Sequence, residues 1–263
     1  MKDISKFVLL LIVTVIISLN YAKADDFTDA MLKAKKNLQT AMNSYDEKAL
    51  VKVRGEFERI LQLKKQEWIV NYYLAVVDYS IAYTAMGGAK QDKEKLKKYT
   101  ESGLSNLEKS ILVRDDFSDS YILRYGLNFN RWVYEQDKMA DIMQQSSEAK
   151  EKAEKLDPEN PRFYLMDGMS TFYMPEAFGG GAKKATPIFE KSVELFGKRV
   201  EKEVYYPDWG KDLAYGFLAM SYAKRDDDGD KKKAVDLYEK AIKEIPDSGF
   251  LKGYVKKQLD ELK

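Results

Sequence analysis

The sequence predicts an all-α fold: a helix–turn–helix solenoid assembled from consecutive helix pairs. Three observations carry that prediction. Apolar and small residues return at steps of three and four along nearly the whole chain beyond residue 25, which is the spacing of one helical face. No segment alternates with a period of two, and no hairpin dipeptide sits between strand-like runs. A small–aromatic–small spacing, clearest in Ala234, Tyr238 and Ala241, recurs elsewhere in the chain and here runs into a stop at Pro246.

Residues 1–24 read as an export leader. Lys2 and Lys6 make a positive start, Phe7 to Leu19 is apolar apart from Thr14 and Ser18, and Ala22-Lys23-Ala24 offers the small residues that a signal peptidase accepts. A membrane span needs about 20 apolar residues, more than this run holds. No cysteine follows it, so lipid attachment at that point is excluded. The mature chain is expected to begin near Asp25 and to work in the periplasm or outside the cell.

The elements follow in order. Residues 25–66 hold two N-terminal helices, Asp26–Asn43 and Asp46–Leu63. Glu67–Met86 is the clearest helix, because Trp68, Tyr72, Val76, Tyr79 and Tyr83 share one face, and Gly87-Gly88 ends it. Asp92–Val113 carries a small-and-apolar stripe of Leu96, Gly103, Leu107 and Ser110. Ser118–Gln136 carries Tyr121, Tyr125, Gly126, Phe129 and Trp132. Met139–Leu156 stops at Asp157-Pro158, since proline lacks the backbone donor and restricts the residue before it. Asn160-Pro161 starts the next helix, with Asn as cap and Pro in the first turn. The glycine-rich turn Phe178–Gly181 leads into Ala182–Phe196. Asp208 is a candidate cap for Trp209–Arg225, and Asp230 for Lys231–Ile245. Gly249–Leu262 closes the chain with Phe250, Tyr254, Val255, Leu259 and Leu262 inward, as a capping helix within 247–263.

Residues 67–246 thus divide into four helix pairs. Ala234, Tyr238, Ala241 and Pro246 stand against Tyr215, Leu218, Ala219 and Tyr222 in the fourth. Ala185, Phe189 and Ser192 repeat the spacing in the third, Ala153 and Pro158 mark the second, and Gly103, Leu107 and Ser110 hold it in the first. This pattern resembles the tetratricopeptide repeat (TPR), a unit of about 34 residues that stacks into a superhelix. The resemblance implies a scaffold that binds a protein or peptide partner, not a catalyst.

Composition narrows the chemistry. The 263 residues include no cysteine and no histidine, which removes disulfides, Ser-His-Asp and Cys-His nucleophiles and the usual zinc ligand sets. Without Lys2, Lys6, Lys23 and Asp3, the 44 basic and 43 acidic residues become 41 and 42. A near-neutral chain has no overall field for a polyphosphate, so nucleic acid is not an expected partner. Asp226–Asp230 fails as a calcium loop, because Lys231 and Leu237 stand where glycine and glutamate are required. Gly179–Thr186 fails as a phosphate loop, lacking Gly-Lys followed by Ser or Thr and a preceding strand. No motif selects a catalytic pair among the many carboxylates. No metal site or cofactor is expected, and neither is an enzyme.

In a repeat array, the first helix of each pair lines the concave face. That geometry nominates Tyr72, Val76, Tyr79, Leu123, Leu127, Asn130, Arg131, Met169, Phe172 and Tyr173 as a groove that mixes aromatic area with a few polar groups. Packing into the core is the competing role for every aromatic among them. The expected function is an exported, non-enzymatic scaffold holding a protein, a peptide or an extended apolar ligand on its concave face. The alternative is an accessory binding component of an extracytoplasmic solute-uptake system.

Overall fold

Helical periodicity becomes helix almost throughout. The computed structural model describes residues 26–44, 46–86 and 91–261. The leader, the Gly87-Gly88 stop and Leu262 lie outside the described residues. The elements are α1 (26–44), α2 (Glu47–Leu61), α3 (Glu67–Thr84), α4 (Lys93–Val113), α5 (Ser118–Arg131), α6 (Met139–Leu156), α7 (Pro161–Tyr173), α8 (Ala182–Lys198), α9 (Lys211–Arg225) and α10 (Asp230–Glu244). A π-helical segment, Phe250–Val255, then runs into α11 (Lys256–Asp260). No strand occurs among the described residues.

Local signals set several starts. Asp46 accepts hydrogen bonds from the backbone N–H groups of Lys48 and Ala49 at the head of α2, and Asp92 accepts one from Lys95 at the head of α4. Asn160 caps α7 with Pro161 in the first turn. Two starts differ from the sequence reading. Helix α9 begins at Lys211, after Gly210 turns left-handed at φ 101°, and Asp208 instead pairs with Lys35 of α1 at 3.2 Å. Asp230 is the first residue of α10, not its cap. Its carboxylate is buried and held by the Nε and Nη2 of Arg225, each at 2.7 Å.

The helices pack in sequence-adjacent pairs: α3 on α4, α5 on α6, α7 on α8, α9 on α10. The first helices also touch one another in turn, α3 to α5 to α7 to α9, and form the inner layer. The two layers differ in burial for that reason. Helix α3 buries residues all round its circumference, whereas α10 buries only Asp230, Ala234 and Ala241. Small residues set the close approaches. A Cβ at Gly126 would lie 2.2 Å from Met166, at Gly168 2.5 Å from Phe189, and at Gly216 2.5 Å from Phe250. These three glycines fall one each on α5, α7 and α9: Gly126 seats α7 on α5, Gly168 seats α8 on α7 within one pair, and Gly216 seats the terminal segment on α9.

Buried polar groups tie the units together at one end. Arg162, fully buried in the first turn of α7, donates to Asp119 in the first turn of α5 and to Glu201 at 2.5 Å. Asn160 adds a 2.9 Å hydrogen bond to Asp119. Arg199 closes the network on Asp157 at 2.7 Å and Glu201 at 3.1 Å. Buried charges persist only when paired and hydrogen-bonded, and this set meets that condition. Helix α1 lies across the segment before α9. Its buried Lys35 donates to the carbonyls of Val204 and Tyr206 at 2.8 and 2.6 Å, and Phe27 meets Tyr205 edge-on.

Candidate functional site

The inner helices, α1 and the terminal segment enclose an aromatic cleft. Val76, Tyr79, Ser80, Tyr83 and Thr84 of α3 form one wall. Leu123 of α5 and Met169 of α7 continue it. Leu213 and Phe217 of α9, with Trp209 before it and Phe250 of the terminal segment, face them, and Gln39, Met42 and Asn43 of α1 close the side. The unfilled space is about 830 Å³, solvent at the mouth included.

Each wall is held by packing that the sequence makes explicable. Phe217 stacks on Phe189 at 5.6 Å between ring centroids and sits 5.5 Å from Phe250, while Phe250 stacks on Tyr254 at 5.8 Å. Gly216, lacking a side chain, lets Phe250 and Val255 close on α9. Gly249 does the same for the chain's ends, since a Cβ there would lie 1.7 Å from the carbonyl oxygen of Asn43. The end of α1 and the start of the terminal segment therefore meet backbone to backbone.

Tyrosines gather at the mouth. Tyr79 and Tyr83 line the cleft, and the hydroxyl of Tyr173 has Tyr83, Tyr254 and Tyr79 as its electrostatic neighbours. Burial, reinforced by the neighbouring phenols, pushes the pKa of Tyr79, Tyr83 and Tyr173 above the ordinary tyrosine value. All three are therefore protonated at neutral pH. Asp212 is the charged residue of the lining among the described residues, and its carboxylate accepts a 2.7 Å hydrogen bond from Ser248.

The structure distributes the ten residues nominated from sequence. Val76, Tyr79, Leu123 and Met169 line the cleft. Tyr173 is 56% exposed at its mouth. Tyr72 is fully buried, and its hydroxyl accepts a 3.0 Å hydrogen bond from the indole of Trp209. Leu127 packs against Gly103 in the core, and Phe172 is buried against Phe189 and Phe217. Asn130 donates to Thr100 at 3.1 Å, and Arg131 pairs with Glu135 at 2.6 Å and with Gln145 of α6. Those last two belong to the joints of α5 with α4 and α6. Met42, Trp209, Phe217 and Phe250 were not nominated. They lie outside the first helices of pairs one to three: packing of α9 on α7 and α8 brings Trp209 and Phe217 there, and the contact of α1 with the terminal segment brings Met42 and Phe250.

No group of three or more His, Cys, Asp or Glu residues able to hold a metal occurs among the described residues. No described helix is long and apolar enough to cross a membrane.

Similarity to known proteins bears on the fold first. The HusA haemophore from Porphyromonas gingivalis is similar in structure, with a TM-score of 0.64 and 25% sequence identity over 76% of this chain and 95% of that one. A thermophilic TPR protein of Thermus thermophilus is similar at a TM-score of 0.54 and 17% identity, over 86% of this chain and 98% of that one. No family model matches the chain, and no curated protein matches it in sequence. The chain is a TPR-like helical repeat protein.

Proposed function

We propose that the protein is a non-catalytic binder whose aromatic cleft takes a flat, extended apolar ligand of the tetrapyrrole class, and that it serves solute uptake outside the cytoplasm. In this reading residues 67–246 are the binding array and 247–263 both cap it and complete the cleft. The observation that carries the reading is the cleft itself: rings and aliphatic side chains from α3, α7, α9 and the terminal segment face one another across a narrow space. Binding sites for small molecules are concave, mostly apolar and carry a few placed polar groups. The likeness to a haemophore supports the choice of ligand class. A protein or peptide partner on this face is the second reading, as the TPR-like fold allows.

The test is direct. Protoporphyrin IX titrated into residues 25–263 should give a saturable shift of its absorption band and quench Trp209, which borders the cleft. Met169→Trp should fill the space and abolish the shift while the far-ultraviolet circular dichroism stays helical. Absence of a saturable shift at micromolar protein, or an undiminished one in Met169→Trp, would sink the proposal.

A further inference from the structure

The tyrosines at the mouth form a donor set that the fold itself does not use. Tyr79 and Tyr83 come from α3, Tyr173 from the end of α7, and Tyr254 from the terminal segment. The hydroxyls of Tyr79 and Tyr83 have no hydrogen bond to any described residue, and Tyr173 and Tyr254 are electrostatic neighbours of one another, with the Tyr173 ring 6.0 Å from Phe217 and the Tyr254 ring 5.8 Å from Phe250. A hydrogen bond within that pair would use one proton and leave the other free. Three phenolic donors thus gather in one small region, beside an apolar cleft with no lysine or arginine among its described lining residues. Donors gathered with no internal acceptor are satisfied by a ligand's acceptor or by water. Tyr79, Tyr83 and Tyr173, whose pKa values burial raises, remain donors across the neutral and mildly alkaline range.

We infer that Tyr79, Tyr83, Tyr173 and Tyr254 form a subsite that holds the carboxylate ends of the ligand by neutral O–H donors, while the aromatic walls hold its ring. The inference rests on the tetrapyrrole reading of the cleft and makes these residues determinants of specificity. A carboxylate accepting from a hydroxyl forms a charge-assisted hydrogen bond, stronger than one between neutral groups. A methyl ester keeps the carbonyl acceptor but loses the charge and adds bulk where the donors converge. The site should therefore discriminate a diacid from its diester without a cation in the described lining.

Mesoporphyrin IX and its dimethyl ester, titrated in the same detergent-containing buffer, separate the cases. The wild-type protein should bind the diacid at least about tenfold more tightly than the diester, as expected for losing hydrogen bonds to a charged group. Tyr79→Phe/Tyr83→Phe keeps both rings and should lose most of the preference, with weaker binding of the diacid and unchanged binding of the diester. Tyr254→Phe, at a half-exposed position, provides a variant with less risk to folding and should narrow the preference in the same direction. Equal wild-type affinities, or a double variant that loses both ligands in equal proportion, would overturn the subsite. Failure of either porphyrin to bind the wild-type protein would instead remove the tetrapyrrole reading beneath it.

Discussion

Removing Asp119 should be among the most damaging single changes in the chain. Its carboxylate accepts from the guanidinium of Arg162, whose side chain is 1% exposed, and from Asn160 at 2.9 Å. In Asp119→Ala, Arg162 would retain only Glu201, and the Asn160 amide would lose its acceptor. Breaking a buried pair by deleting one partner costs about 3–5 kcal/mol, most of it the penalty of an uncompensated charge. With a urea slope of about 3 kcal/mol per molar, the unfolding midpoint should fall by about 1–2 M. The companion variant Asp119→Leu/Arg162→Met removes both charges at similar volume and should recover much of that loss, since apolar replacements of buried pairs are often neutral. Urea denaturation followed by circular dichroism reads both. A midpoint in Asp119→Ala unchanged from wild type would refute the structural role. So would a double variant as unstable as the single, because the cost would then not come from the stranded charge. The consequence for the site is geometric: this network fixes the heads of α5 and α7, which carry Leu123 and Met169 to the cleft.

Three further outcomes follow from the packing. Ala241 is fully buried on α10, so Ala241→Arg should cost about 3 kcal/mol or more through overpacking and an unpaired charge, and an unchanged denaturation midpoint would place it on the surface. The hydrogen bonds from Arg225 hold the Asp230 carboxyl down at about 2, below its ordinary value near 3.8. Its stabilising contribution is therefore complete above about pH 4 and is lost as pH falls towards 2, so Asp230→Asn should flatten the acid limb of the stability profile, and an identical acid limb would refute the pairing. Gly249 has an ordinary negative φ of −67°, so Gly249→Ala adds no backbone strain but must push α1 away from the terminal segment. It should lower the melting temperature and speed ligand exchange, and unchanged values of both would mean the chain's ends do not seal the cleft.

Helix content was legible because it is a local property. A face built from Trp68, Tyr72, Val76, Tyr79 and Tyr83 has a period that only a helix satisfies, and the caps at Asp46, Asp92 and Asn160 act within three residues of themselves. The site was legible only so far as it is built from such faces. Tyr72 and Tyr79 lie on one stripe of α3, two turns apart, yet one is covered and one borders the cleft. What separates them is Trp209, 137 residues from Tyr72, whose indole seals it. Asp208 and Asp230 were misread for the same reason. Both stand where caps are common, but a cap competes with any cation the fold brings near, and Lys35 and Arg225 occupy the two carboxylates. The cleft itself depends on closure of the chain's ends: Met42 of α1 and Phe250 of the terminal segment border the same space only because Gly249 lets the backbone of Asn43 approach. No period encodes that contact, since it is made once and by a residue with no side chain. A repeat pattern therefore reports the inner helices as a set, while the positions along them that become binding surface are decided by the parts of the chain that do not repeat.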